Sequence, residues 1–269
     1  MSNLNKINTK QICLLQVLPH LNSGGMVSGA VEISNFLKNK GGKSIIVSSG
    51  GYREQELLKN DASIIHLPVE TKNPFLIYLN KNRLKKIILK YNVNIVHARS
   101  RAPAWSAYLA AKETNTSFIT TFHGTYGTEN LVKKKYNSVM LKGDYTIAIS
   151  KFIKKHIEEE YKKSNNIFVI ARGINEKVFS PKSVTTARII SAAKKIKTDE
   201  FKKTILMPGR LTSWKGHEIA IRALSLIEDN NIKLVILGDL QKRFKYKSNL
   251  EKLTLELGLN DKVLFLEQT

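Results

Sequence analysis

The segment 94–124, NIVHARSRAPAWSAYLAAKETNTSFITTFHG, decides the fold class of this chain. Two apolar runs, Asn94–Ala98 and Ser117–Phe122, have the length of buried strands, and the alanine-rich stretch Ala102–Thr114 between them has the length of a helix. Strands joined through a helix of this length form a βαβ unit, in which the strands run parallel because the helix crosses back over the sheet. The segment therefore predicts a parallel sheet covered by helices.

The same alternation continues on both sides of this segment. We predict further strands at Ile12–Leu18, Ser44–Ser48, Ile64–Leu67, Asp144–Ser150 and Ile167–Ile170, and helices at Ser28–Lys40, Leu76–Tyr91 and Lys151–Tyr161. Repeated βαβ units with helices on both faces indicate an α/β domain with a doubly wound, Rossmann-like parallel sheet.

The pattern restarts after a polar segment that contains Pro181. The restart predicts strands at Thr204–Met207, Lys233–Leu237 and Val263–Leu266, with helices at His217–Leu226 and Asn249–Leu257. We therefore divide the chain into a first domain over residues 1–180, a linker and lead-in over 181–203, and a second domain over 204–269. A doubly wound domain usually has five or six strands, so we expect the second domain to be incomplete.

The chain is strongly basic. Its 269 residues include 44 Lys and Arg against 22 Asp and Glu, a formal net charge of +22. Such a field attracts polyanions, among them nucleotide sugars and anionic lipids, but compositional drift also produces it. No aromatic stacking motif accompanies the charge, so we expect no nucleic-acid partner. The one cysteine and the lack of a long apolar stretch predict a cytoplasmic protein, with possible peripheral contact at the inner face of the membrane.

Polar residues follow two neighbouring strands of the predicted first sheet. His97, Arg99 and Arg101 come after one strand, and His123 and Gly124 come after the next. Because ligands bind at the carboxyl ends of strands in open α/β sheets, these residues are candidates for a cleft. A single histidine is more often structural, but two at neighbouring strand ends favour a site.

Three other loops of the first domain are candidates. Ser23-Gly24-Gly25 separates the first strand from the first helix, where glycines let backbone N–H groups approach an anion; the alternative is a tight turn. Ser150 and Arg172 lie in loops that follow later strands. In a two-domain cleft such a loop would face the substrate; the alternative is an ordinary turn.

The clearest anion-binding pattern lies in the second domain, in the segment PGRLTSWKGHE at 208–218. Arg210 and Lys215 provide the planar fork and the point charge that suit a diphosphate, while Gly209 and Gly216 permit close backbone approach. The alternative is a solvated basic turn. No histidine or cysteine spacing indicates a metal site, and no cofactor is expected.

These residues give the chain a resemblance to a known family. It resembles the retaining glycosyltransferases of family four, with the GT-B fold of two facing Rossmann-like domains, and is most similar to bacterial members for cell-envelope or lipopolysaccharide sugars. The matching stretches are Ser23–Gly25, Thr71–Pro74, His97–Trp105, Thr120–Tyr126, Tyr136–Met140, Ile147–Ser150, Arg172–Asn175 and Pro208–Glu218.

The resemblance implies a role for several residues. Gly24-Gly25 would contact the donor phosphate or the acceptor, and His123 would lie near the reacting sugar. Arg210 and Lys215 would hold the donor diphosphate across a cleft from His123, without a divalent metal. The reaction would transfer a sugar from a nucleotide donor to a hydroxyl of a glycan or lipid-linked acceptor, with retention at the anomeric carbon.

The chain departs from the family pattern at two places. Close relatives carry Glu-Arg where this sequence has Val27-Ser28, and the family's Glu-x7-Glu motif near the end of the second domain is absent from this sequence. We therefore expect a C-terminally truncated enzyme with impaired transfer. The alternatives are a GT-B epimerase or a non-catalytic remnant that binds an anionic lipid or a partner through Leu76–Tyr91 and the Lys133 region.

Overall fold

The computed structural model describes residues 8–22, 24–58, 62–127, 129–196, 203–240 and 243–267, with the side chain of Lys177 left out. The chain forms two compact units, Met1–Ile174 (unit 1) and Asn175–Thr269 (unit 2). Segment 181–203, predicted as a linker and lead-in, belongs by its contacts to unit 2. Among the described helices, none combines the length and the apolar character that a bilayer crossing requires.

Unit 1 is built on a seven-stranded sheet in which all neighbouring strands are parallel. Its strands are β1 Cys13–Val17, β2 Lys43–Ser48, β3 Ser63–His66, β4 Ile95–Ala98, β5 Ser117–Phe122, β6 Tyr145–Ala148 and β7 Ile167–Val169. The predicted parallel α/β sheet is confirmed. Each predicted strand of unit 1 is present, and its ends lie within two residues of the predicted ones.

The strand order is β3-β2-β1-β4-β5-β6-β7, so the winding direction reverses between β1 and β4. All five residues of β1 are buried, because helices cover both faces of the sheet there. Val17 and Ala98 are partners in register, and both strands end at them. At such a switch point the flanking loops diverge to opposite faces and leave a crevice at the carboxyl edge. The carboxyl ends of β1 and β4 therefore mark the place where unit 1 is expected to bind a ligand.

The helices of unit 1 are α1 Gly25–Asn39, α2 Glu54–Leu58, α3 Pro74–Tyr91, α4 Arg101–Glu113, α5 Leu131–Asn137 and α6 Lys151–Tyr161. Helix α1 begins at Gly25, three positions before the predicted start at Ser28. Helix α3 begins at Pro74 because the Asn73 side chain accepts hydrogen bonds from the backbone N–H groups of Phe75 and Leu76, which caps the first turn. The sequence analysis missed α2 and α5 because helices this short lack a periodic apolar pattern.

Unit 2 has a smaller parallel sheet of order β10-β9-β8 in the part of the chain that the structure describes. The bounds are α7 Glu176–Phe179, α8 Thr186–Ile196, β8 Lys203–Pro208, α9 His217–Ser225, β9 Ile232–Leu237, α10 Phe244–Glu256 and β10 Val263–Leu266. Helix α10 begins five positions before the predicted start at Asn249. A core of buried aliphatic side chains from α9, β9, α10 and β10 holds the unit together.

Candidate functional site

The first group of candidate residues lies at the carboxyl edge of the unit 1 sheet. Gly24 is the N-cap of α1, directly after the loop that leaves β1, and its φ of 115° is a conformation that side chains disfavour. Gly25 opens the helix. Ser23, the first residue of this predicted motif, lies outside the described residues. Within the described residues no side chain caps α1, so its first backbone N–H groups and the positive end of its dipole are available at the edge.

Arg172 joins this helix end to His123. Its Nη2 donates a hydrogen bond to His123 Nδ1 at 2.5 Å. The guanidinium also packs directly over Gly25: a Cβ placed on Gly25 would lie 2.8 Å from Arg172 Cζ and closer still to Nη1. Glycine is therefore required at position 25 for Arg172 to take this position. The structure brings together three residues, Gly25, His123 and Arg172, that the sequence placed in separate loops.

His123 is neutral at ordinary pH. Burial above all, together with the positive charges of Arg172 and Arg99, lowers its pKa to about 3. Because Nδ1 accepts from Arg172, the neutral ring carries its proton on Nε2. Nε2 is buried and has no hydrogen-bond partner among the described residues. His123 is therefore suited to donate a hydrogen bond to a ligand and unsuited to act as a cationic group.

Arg99 is the buried cation of the site. It follows β4, is 4% exposed, and its Nε donates to Gln16 Oε1 at 2.9 Å. Its Nη2 is buried and has no partner among the described residues. Burial, and then the charge of Arg172, lowers the pKa of Arg99 to about 10, so that it remains protonated at neutral pH. Arg172 packs over Gly25 and Arg99 Nη1 lies 3.4 Å from the position of a Cβ on Gly29, so the two guanidinium groups lie about one turn apart along α1.

Gln16 fixes the orientation of Arg99. It is fully buried in β1, and its Nε2 donates to Ala30 O and to Ser34 Oγ, both on α1. The amide oxygen is thereby directed at Arg99 Nε. The sequence analysis did not identify Gln16. The available signal was one amide inside the apolar run of β1, since a buried polar side chain needs partners.

His97, which the sequence analysis proposed as a cleft residue, is buried instead. It is 5% exposed, and its Nε2 lies 2.7 Å from Thr121 Oγ1 on the neighbouring strand. Burial, with the charge of Arg99 and the proximity of His123, lowers its pKa well below the ordinary value. His97 therefore packs beneath the edge, where it supports the strand from which His123 follows.

Three further candidates of unit 1 remain, and two of them have side chains that are engaged elsewhere. Arg101 donates to Asn137 Oδ1 and stacks on Tyr126, with 4.4 Å from its Cζ to the ring centroid. Ser150 caps α6, where its Oγ accepts from Ile153 N. Gly124 follows His123, and a Cβ there would meet nothing within 4 Å. Arg101 and Ser150 are thus engaged in local structure.

The second group of candidates follows β8 in unit 2. Gly209 N donates to Leu237 O, and a Cβ on Gly238 would overlap Gly209 O, so the two strand ends approach at backbone distance. The Lys215 side chain extends past Gly209, whose added Cβ would lie 3.8 Å from Lys215 Cδ. Gly216, with φ of 78°, is the N-cap of α9. This turn is a compact cationic loop at the start of a helix.

Trp214 connects the two cations of this loop, and the sequence analysis gave it no role. The indole is 68% exposed; Lys215 Nζ lies 4.5 Å and Arg210 Cζ 6.0 Å from its ring centroid. Both cations are thus held over one aromatic ring, which is a favourable electrostatic arrangement. The signal available in the sequence was an aromatic residue between two basic ones. Among the described residues, no group of three or more histidine, cysteine, aspartate or glutamate side chains is arranged to hold a metal ion.

Comparisons with known proteins identify the family of the chain. The family model "Glycosyltransferase Family 4" matches residues 23–178, and the model "Glycosyl transferases group 1" matches residues 189–269. An uncharacterized glycosyltransferase of Methanocaldococcus jannaschii is 34% identical over 122 residues, which are 45% of this chain and 30% of that protein. The matched region is therefore about a third of the length of that relative.

Solved structures extend the likeness to nearly the whole chain. The crystal structure of a glycosyltransferase from Rickettsia africae ESF-5 has 40% sequence identity and a TM-score of 0.83, covering 96% of this chain and 68% of that one. The Anabaena protein HepE, crystallised with UDP-glucose, has 15% identity and a TM-score of 0.80, covering 96% and 69% of the two chains. At that identity, the likeness to HepE concerns the fold alone.

Proposed function

The chain belongs to glycosyltransferase family 4 and has the α/β fold of the GT-B glycosyltransferases, and from this premise we propose that it transfers a sugar from a nucleotide-sugar donor to an acceptor hydroxyl. The observation that carries the proposal is the hydrogen-bonded cluster of His123 and Arg172 over Gly25, at the switch point of the unit 1 sheet. Retention at the anomeric carbon is part of the proposal, because the family resemblance implies it.

Unit 2 holds the donor in this proposal. Arg210 and Lys215 bind the diphosphate, and the N-terminus of α9 after Gly216 adds a partial positive charge. These groups neutralise the charge that develops on the departing nucleotide, so the reaction requires no divalent metal or other cofactor. The likeness to HepE, which is described with UDP-glucose bound, supports a nucleotide-sugar donor.

His123 acts on the transferred sugar as a neutral hydrogen-bond donor. Its pKa of about 3 excludes a protonated ring at neutral pH, and its unpaired Nε2–H is free to donate to a sugar hydroxyl. Arg172 fixes the tautomer of His123 because it donates to Nδ1 and so leaves the ring proton on Nε2. His97 and Thr121 hold the strand end in place beneath it.

The acceptor that we propose is a cell-envelope or lipopolysaccharide glycan or lipid at the cytoplasmic face of the membrane. Helix α5 lies just beyond the loop that follows His123, at the same edge of the sheet. Its first residues, Leu131 and Val132, are 83% and 79% exposed, and Lys133–Lys135 follow them directly. Apolar side chains beside a basic tract suit peripheral contact with an anionic bilayer.

Incubation of the 269-residue chain with a panel of nucleotide sugars and an envelope lipid extract tests the proposal. We expect binding of one nucleotide by calorimetry and release of that nucleotide in the presence of acceptor. His123→Ala should abolish transfer while nucleotide binding persists, and Arg210→Gln should weaken nucleotide binding. Arg222→Gln is the matched control, because among the described residues Arg222 pairs with Glu218 on the exposed face of α9.

Product analysis separates the alternatives. The anomeric configuration of the product, read by NMR, tests retention. An altered sugar still attached to its nucleotide would identify an epimerase instead. Binding of vesicles without binding of any nucleotide or nucleotide sugar would contradict the proposal and favour the non-catalytic remnant.

A further inference from the structure

Unit 1 has a cluster of cationic groups of its own, in addition to the cationic loop of unit 2. The cluster consists of Arg99, Arg172 and the uncapped N-terminus of α1. Within the described residues, neither arginine forms an ion pair with a carboxylate; Arg99 donates to the neutral amide of Gln16 and Arg172 to the neutral ring of His123. The carboxylate that acts on the pKa of Arg172 is that of Glu32, an exposed residue of α1.

Arg99 is held in place for this cluster by contacts that leave part of its guanidinium unused. Gln16 fixes its Nε, and a Cβ added to Gly29, in the second turn of α1, would lie 3.4 Å from its Nη1. Its Nη2 has no partner although the side chain is 4% exposed. An unpaired buried donor on a charged group is costly unless a ligand completes it. Arg99 thus points to a ligand with a negative charge.

Arg172 is the second cation of the cluster. It is exposed, it sits over Gly25 at the positive end of the α1 dipole, and its charge lowers the pKa of Arg99. Two guanidinium groups beside a helix N-terminus repel one another, and an anion between them removes this repulsion. The N–H groups of each guanidinium form a planar fork that can donate to two oxygens of a phosphate or a carboxylate.

We propose that this cluster binds an anionic group, phosphate or carboxylate, carried by the acceptor. The inference rests on the proposed function, and it names the class of acceptor. In the proposed function Arg210 and Lys215, which both lie over the ring of Trp214, bind the donor diphosphate. That function assigns no anion to the two cations of unit 1, so they are available to a second one. A neutral glycan would leave both arginines uncompensated, whereas a phosphorylated or acidic acceptor would complete them.

The experiment follows the side-chain Nε–Hε signals of Arg99 and Arg172 by NMR in the full 269-residue chain. Inorganic phosphate is titrated first, in the absence and in the presence of saturating UDP. Glycerol 3-phosphate, an anion on a carrier with free hydroxyl groups, is titrated next, with glycerol as its neutral control. The variants are Arg172→Gln, whose side chain is exposed, and Arg99→Gln. Arg83→Gln on α3 is the matched control, because it removes the same charge from a residue whose partner in the described part of the chain is Asn80.

The proposal expects both anions to shift the two signals, with UDP present or absent, and glycerol to leave them unchanged. Arg172→Gln should weaken phosphate binding about tenfold or more, as the loss of a charge-assisted hydrogen bond does. Arg83→Gln should leave it unchanged. If Arg99→Gln fails to fold, Arg172→Gln with the two anions still decides the outcome.

Three results would overturn the proposal. The signals could fail to respond to either anion, or UDP could displace phosphate, which would assign the cluster to the donor. A response to phosphate alone, without one to glycerol 3-phosphate, would show a site for a free ion and none for an acceptor. Failure of the unmodified chain to bind any nucleotide of the panel would instead contradict the proposed function, so the two failures are distinguishable.

Discussion

Replacement of Gly25 by alanine should disable the unit 1 cluster while the fold remains intact. The added Cβ would lie 2.8 Å from Arg172 Cζ and closer still to Nη1. Ordinary contacts between such atoms are about 3.5–4 Å, so the guanidinium must withdraw by roughly 1–2 Å. The obstacle is the end of a flexible, exposed side chain, so Arg172 moves and the backbone stays. That displacement breaks its 2.5 Å hydrogen bond to His123.

The stability and the binding of Gly25→Ala should therefore respond differently. The lost hydrogen bond costs about 1 kcal/mol, since Arg172 is exposed and water replaces part of it. Alanine in place of glycine in a helix offsets this by up to about 1 kcal/mol. The free energy of unfolding should thus change by less than about 1 kcal/mol. Anion binding at the cluster should weaken about tenfold or more.

Urea unfolding and the NMR phosphate titration measure the two effects on one sample. The pKa of His123, followed by its ring signals, should also rise above about 3, because Arg172 no longer lies beside it. Gly173→Ala is the matched control, since a Cβ at Gly173 meets nothing within 4 Å. Unchanged phosphate affinity and an unchanged His123 pKa in Gly25→Ala would refute the reasoning that Arg172 depends on this glycine.

Three further outcomes are expected. The second proton of the His123 ring binds below about pH 3 in the folded state and below about pH 6.5 in the unfolded state. The free energy of unfolding should therefore decrease as the pH is lowered from about 6.5 to about 3, and it should decrease less steeply in His123→Gln. Urea unfolding at several pH values measures both curves. Trp214→Leu removes the ring under two cations and should weaken UDP binding about two- to tenfold in calorimetry; unchanged affinity would exclude a positioning role. Leu131→Asp with Val132→Asp should reduce flotation with anionic vesicles severalfold and leave UDP binding unchanged; equal flotation would exclude α5 as the contact.

The sequence was sufficient for the sheet and insufficient for several helix ends. Fully apolar runs such as β1 predict buried parallel strands because they must be covered on both faces. The start of α1 was missed because a glycine cap gives no polar capping signal. The early start of α10 at Phe244 was missed because its first turn, FKYK, reads as a polar loop when no partner surface is known.

The candidate site was predicted in its parts and missed in its connections. Position at a strand end selected His123, Arg99 and Arg172, and the structure places these three together. The same criterion also selected Ser150, whose side chain caps α6, and Arg101, whose side chain stacks on Tyr126. Spacing along the chain cannot distinguish these fates, because each depends on residues far away in sequence. Arg172 finds its partner 49 positions earlier in the chain.

The charge of the unit 1 cluster comes from its arginines alone. The pKa values of His97 and His123 lie far below neutrality, so both rings are uncharged, while the pKa of about 10 keeps Arg99 protonated. Arg172 has a lowered pKa but starts from the higher arginine value. The cluster therefore keeps its charge from mildly acidic to mildly basic pH. Its affinity for an anion should vary only as the anion itself titrates, whereas a site charged by histidine would lose affinity near neutrality.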